Sequence, residues 1–165
     1  YSGYPIRDKL INTFYLENFK IPFYAFGTGI KAKKIKKLSS SLDIPPTICS
    51  LLGIDLPLSF EGTPLLATTE ELQMIEYCGG GCPDINDRQL MIAAFAKEYM
   101  VASLVRLEDV FSKKNVTEVY DLRDDPEQRK NLVHKIDFNI VNKYMEAIQN
   151  RLVEIRRTNH IYQSR

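Results

Sequence analysis

Few side chains in this sequence are equipped for chemistry, and their spacing limits what they can do. Three cysteines stand at positions 49, 78 and 82, and two histidines at 134 and 160. Cys78 and Cys82 flank Gly79-Gly80-Gly81, a C-x-x-x-C pattern that can close into a disulfide in an oxidising compartment. A metal site on that pair needs two more ligands, and both histidines lie far along the chain. Asp124 and Asp125 have the look of paired acids, but Pro126 follows them and marks a turn. Asn115-Val116-Thr117 matches a glycosylation sequon, a triplet common by chance. No G-x-G-x-x-G, P-loop, G-x-S-x-G or H-E-x-x-H occurs. A self-contained enzyme needs a nucleophile or metal with a group to activate it, and no complete set is visible. The stretch Lys31-Ala32-Lys33-Lys34-Ile35-Lys36-Lys37 has two readings: a solvated loop, or an electropositive rim that attracts anionic substrates.

The elements that must position these residues can be read from apolar patterning. Ile21 to Phe26 is a nearly continuous apolar run ending in Gly27-Thr28-Gly29, which predicts a strand buried on both faces with Pro22 at its start. A short helix follows, with Asp43 as its N-cap, Pro45 and Pro46 in its first turn, Ile48, Leu51 and Leu52 on its apolar face, and Gly53 as its stop. Leu56 to Leu66, with Pro57, Gly62 and Pro64, reads as irregular connection. Gln73 to Tyr77 is a strand candidate. Leu90–Ala96 and Tyr99–Arg106 pair as a hairpin around Lys97-Glu98, and Thr117–Leu122 adds a further strand. From about Phe138 to Ile155 a helix is expected, because Val141, Tyr144, Ile148, Leu152 and Ile155 make one stripe at spacings of three and four.

This order predicts an α/β chain of α+β character, the end of an α/β core followed by a small antiparallel sheet backed by a C-terminal helix. The 165 residues, 44% apolar and 26% charged, have an ordinary globular composition. With 22 basic against 21 acidic residues the net charge is +1, which disfavours a dedicated nucleic-acid binder. No apolar run approaches the roughly 20 residues of a membrane span. Tyr1-Ser2-Gly3-Tyr4 has neither an initiating Met nor a signal-peptide pattern, and reads as the cut or processed start of part of a longer protein.

Three segments together resemble the C-terminal part of a sulfatase, in the alkaline-phosphatase superfamily. Lys20 to Ile30 (KIPFYAFGTGI) is similar to the family's R-V-P, hydrophobic strand, G-P-G-I. Ser40 to Ile48 (SSLDIPPTI), then Leu51-Leu52-Gly53-Ile54 and Phe60-Glu61-Gly62, resembles S-x-x-D-I-x-P-T, L-L-G-I and F-E-G. Glu118 to Pro126 (EVYDLRDDP), with Asn131-Leu132 after it, is similar to E-L-Y-D-L-x-x-D-P and its following N-L. Read from the residues themselves, these motifs are structural: a strand start, a helix cap and a turn. The resemblance implies a division into residues 1–66, the end of the sulfatase-like α/β core, and residues 67–165, the sheet subdomain with its helix.

It also implies what should be elsewhere. The family's nucleophile is a formylglycine made in C/S-x-P-x-R, and Cys82-Pro83-Asp84 does not match that motif. A divalent metal (Ca or Mg/Mn) is implied for the complete enzyme, with no ligands in this chain, together with a missing N-terminal catalytic portion and an anionic ester substrate. One catalytic element is expected to remain. Glu17 to Pro22 fits the family's E-x-x-x-V-P segment, and Lys9 is the nearest lysine ahead of it, in the place of the lysine that contacts the sulfate ester; otherwise Lys9 is a surface lysine beside Arg7 and Asp8. Gly79-Gly80-Gly81 with Cys82 and Arg88 would shape a leaving-group pocket, or would form a plain connecting loop. The alternatives are a phosphoryl or phosphonate ester hydrolase or transferase of the same superfamily, and a non-catalytic domain that binds polyanions through Lys31 to Lys37.

Overall fold

A computed structural model describes residues 15–67, 72–78, 90–106 and 109–163. Among them, β1 (Gln73–Cys78), β2 (Leu90–Phe95), β3 (Tyr99–Val105) and β4 (Val116–Asp121) form one antiparallel sheet in the order β1-β2-β3-β4. Sheet order equals chain order, so each pairing needs only a local connection. The β2–β3 turn is closed by Ala96 N–H donating to Tyr99 O at 3.0 Å, and a bulge at Ala102/Ser103 offsets the register of β3 on β4.

Alternation along the two central strands divides the core. Leu90, Ile92 and Ala94 of β2 and Val101 and Val105 of β3 face one cluster, while Met91, Ala93, Met100 and Ala102 face the other. Both faces of β2 are therefore covered, which accounts for its unbroken Leu-Met-Ile-Ala-Ala-Phe sequence. Helix α2 (Asn142–Gln163) closes the first cluster with Tyr144, Ile148 and Leu152, all buried. Each such side chain contributes about 1.5–3 kcal/mol on burial. The expected stripe from Val141 to Ile155 all packs here. The helix begins later than its pattern, since residues 138–141 are turns, and it continues to Gln163, past the last stripe residue.

The chain after β4 is held by side chains that imitate backbone. Asn131 Oδ1 accepts from Val119 N–H at 3.0 Å, Asn131 Nδ2 donates to Thr117 O at 2.9 Å, and Leu132 N–H donates to Val119 O at 2.7 Å. Gln128, buried and at φ +55°, accepts the Leu16 N–H at 2.7 Å and donates to Met100 Sδ at 3.2 Å. These contacts tie the start of the described chain to the sheet.

Helix α1 (Ile44–Leu52) forms as expected, with prolines in its first turn and Gly53 at φ +65° receiving the chain at its end. The Ile54 N–H closes onto Cys49 O at 2.9 Å. Asp43 differs from the expectation, because its carboxylate does not cap α1. It accepts Ser40 N–H at 2.9 Å and Thr63 N–H at 2.9 Å, one bond to each oxygen. The first bond closes a capping box on the 3-10 turn Ser41–Asp43. The second reaches 20 residues ahead, a contact that no local pattern announces. Thr47 Oγ1 donates to Asp43 O at 2.6 Å and accepts Leu65 N–H at 2.8 Å, so residues 63–65 lie along the start of α1. Gly62 sits in this clamp: a Cβ there would overlap the Leu42 carbonyl and stand 2.8 Å from Asp43 N.

The buried strand expected over Ile21–Phe26 is corrected. These residues are irregular and exposed, Tyr24 by 77% and Phe26 by 87%. A strand buried on both faces needs neighbours on both edges, and the described sheet leaves it none.

Candidate functional site

The residues with a proposed chemical role, Lys9, Cys82 and Arg88, lie outside the described residues, as does the triple glycine at 79–81. The sheet does fix the attachment points of the segment that carries Cys82 and Arg88. Cys78 and Leu90 are register partners at the end of β1 and β2, and Leu90 pairs on its other side with Val105. The β2–β3 turn lies at the opposite end of the sheet.

On the half of β1 nearer Cys78 and Leu90, Arg151 of α2 joins three parts of the chain. Its Nε donates to Glu76 Oε1 of β1 at 2.5 Å, and its Nη1 lies 3.1 Å from Glu154 Oε2 and 3.6 Å from Glu61 Oε2. Hydrogen bonding to Glu76 is the main cause that raises the Arg151 pKa above its ordinary value. A guanidinium ringed by three carboxylates keeps no free donor fork for an anion, so its work is bracing β1 and Glu61 onto the helix. Sequence reasoning missed this node, because no local pattern announces an arginine paired to residues 75 and 90 positions away.

Two acids of the third motif, Asp121 and Asp125, are structural, Asp125 in the turn where the sequence places it. Asp125 Oδ1 accepts Arg129 N–H at 2.9 Å and Oδ2 accepts Lys130 N–H at 2.7 Å, so both oxygens are committed to the loop. Asp121 is held by Arg123, whose Nε and Nη2 donate to its two oxygens at 3.0 and 2.6 Å; Nη2 also donates to Tyr99 Oη at 2.8 Å. The Arg123 hydrogen bonds hold the Asp121 pKa down to about 2, from an ordinary 3.8.

A carboxyl with a depressed pKa stabilises the fold above its unfolded value and loses that contribution as the pH falls through the folded one. The stability advantage of the parent over Asp121→Asn should therefore shrink between pH 4 and pH 2. Arg123 is half-exposed, so solvent screening keeps the whole effect small. Melting temperatures of the two proteins across that range are the check. A constant difference would show that Asp121 keeps its unfolded-state pKa and that its ionisation adds nothing to stability.

Among the described residues, no group of three or more His, Cys, Asp or Glu is placed to hold a metal ion, and no helix is long and apolar enough to cross a membrane. Cys49 on α1 is a free, half-buried thiol.

No protein-family model matches the chain. Over 132 residues it is 29% identical to the Delta 4,5-hexuronate-2-O-sulfatase of Bacteroides thetaiotaomicron, a match that covers 73% of this chain and 25% of that protein. In three dimensions it superposes on a 2-O GAG sulfatase with a TM-score of 0.52 and 21% identity, over 74% of this chain and 26% of the other. A protein assigned to the sulfatases in Bacteroides thetaiotaomicron gives 0.51 and 20%, with the same coverage. The chain has the fold of a sulfatase C-terminal part. It spans about a quarter of the length of the relatives it matches. The small antiparallel sheet and its helix are the α+β arrangement expected from the sequence. The second and third motifs of the resemblance have mechanical roles in this fold: Asp43 and Gly62 in the clamp on α1, Asp125 in the loop, Asn131 on β4.

Proposed function

We propose that this chain is the C-terminal portion of a hydrolase that cleaves sulfate esters when complete, and that it is inactive alone. The observation that carries this reading is agreement of sequence and fold with sulfatases, each over about a quarter of the relative's length. The relative named for a hexuronate 2-O-sulfate supports a sulfated sugar acid as the substrate class. Residues 1–66 belong to the end of the α/β core and 67–165 to the sheet subdomain.

The partner is the N-terminal catalytic portion. It supplies the nucleophile and the ligands of a divalent metal, which stabilises charge on the ester. The same portion offers cover for the apolar side chains left in water ahead of the sheet, among them Tyr24, Phe26, Leu52 and Leu58. Scattered exposed apolar residues are normal, but such a density on one segment suits an interface. From this chain, Lys9 serves the sulfate group, and Cys82 and Arg88 border the leaving-group side.

The test is turnover of an aryl sulfate and an aryl phosphate. The purified 165-residue chain is expected to cleave neither, and the protein that carries it upstream residues included is expected to prefer the sulfate. Turnover by the chain alone, abolished by a point mutation within it, would overturn the reading. A preference for phosphate in the longer protein would move it to the phosphoryl branch of the superfamily.

A further inference from the structure

We propose that the lysine segment 31–37 is a docking site for a linear polysaccharide bearing sulfate and carboxylate groups, which holds a polymeric substrate by its backbone charges. The chemical class of the ligand rests on the sulfatase reading; the site itself rests on charge, exposure and anchoring.

From Asn18 to Leu42 the chain holds six lysines, no arginine and no acidic residue, although the whole protein carries only +1. The rest of the chain is therefore net acidic, which sets this segment apart as an uninterrupted positive stretch. Lys31, Lys33, Lys34, Lys36 and Lys37 are all exposed. None of the ion pairs among the described residues involves Lys31, Lys33, Lys34 or Lys36. Other cations of the described residues are paired, among them Arg123 with Asp121, Lys143 with Glu98 and Arg151 with three carboxylates.

The segment is irregular in backbone, yet it is tethered. Ile35 is half-buried within it, Leu38 packs against the main core beside it, and the Ser40–Asp43 capping box holds the chain just beyond. Tethering lowers the entropy lost when the lysines engage a ligand. Six residue steps reach at most about 20 Å, so Lys31 to Lys37 present a row of charges suited to a chain ligand rather than to one small anion. Lysine supplies compact point charges for sulfate, carboxylate and phosphate alike, and a net charge of only +1 gives none of the broad positive excess of a dedicated nucleic-acid binder. That favours a sulfated polysaccharide over nucleic acid.

The experiment titrates the 165-residue chain with heparin, as the sulfated and carboxylated polymer, and with single-stranded DNA of matched charge, at several salt concentrations. Heparin is expected to bind more tightly than DNA and to weaken steeply with salt, as exposed charges do. The variant Lys31→Gln/Lys33→Gln/Lys34→Gln/Lys36→Gln should lose at least tenfold in heparin affinity and most of the salt dependence. Because these side chains are exposed, its melting temperature should stay close to the parent's. The corresponding fourfold arginine variant keeps the charge and should keep binding, which separates loss of charge from loss of fold. Equal heparin binding by the parent and the glutamine variant would overturn the proposal, and so would tighter binding to DNA. Neither result touches ester turnover by the longer protein, so failure here and failure of the sulfatase reading are told apart.

Discussion

Lys9→Ala in the protein that carries this chain should lower kcat/KM for a small sulfate ester by about 10²–10³. That is the loss found when one preorganised charge-stabilising donor is removed from a reaction centre. Sulfate-ester cleavage builds negative charge on the peripheral and leaving oxygens, and an ammonium aimed at them acts more strongly where water is excluded. Lys9 stands ahead of the Glu17–Pro22 segment, the place of the sulfate-contacting lysine in the family pattern. Lys9→Arg should restore activity only in part, since a planar guanidinium does not replace a compact point charge. Lys34→Ala is the control, and with a small ester it should change little. Equal and small effects of Lys9→Ala and Lys34→Ala would make Lys9 an ordinary surface lysine.

Gly62→Ala should be the most damaging single methyl added to the described structure. Its Cβ would meet the Leu42 carbonyl and the Asp43 N, which are backbone atoms and cannot swing aside as a side chain would. Relief requires residues 61–63 to lift from the start of α1, which stretches the Thr63 N–H bond to Asp43 and the Leu65 N–H bond to Thr47. Overpacking costs about 1–3 kcal/mol, and exposing a buried carboxylate's lost partner adds to it. We expect a destabilisation of about 3 kcal/mol, read from the denaturant midpoint at unchanged slope. Gly53→Ala is the comparison. There a Cβ meets open space and only the left-handed backbone resists, so the loss should be nearer 1 kcal/mol. An equally mild effect at Gly62 would mean that the clamp is loose in solution.

Local regularities were legible in the sequence and long-range contacts were not. The four described strands follow from short apolar runs and both helices from apolar stripes and end signals, all of which depend on neighbours close in the chain. The α1 stop was visible because a glycine beyond a helix end has one common purpose. Asp43 shows where such reading fails. An acid before two prolines is a sound N-cap by local chemistry, yet its carboxylate is taken by Ser40 and by Thr63, from a segment whose own sequence says only that it is irregular. Ile21–Phe26 fails for the complementary reason. An apolar run states that it wants cover on both sides, and it cannot state whether the covering strands are at hand. For the site, the family motifs indicated the sulfatase fold, while Lys9, Cys82 and Arg88 lie outside the described residues.

Asn131 has a consequence for how copies of this chain behave toward one another. An open strand edge recruits further strands, and small sheets need some device against stacking edge to edge. On β4 the device is a single carboxamide, which takes the Val119 N–H and the Thr117 carbonyl, seconded by the Leu132 N–H on the Val119 carbonyl. A peptide approaching this edge finds its hydrogen-bonding groups already engaged. The Thr117–Val119 stretch of this edge is thus occupied through the geometry of one uncharged side chain rather than shielded by the charged gatekeepers that edges often carry.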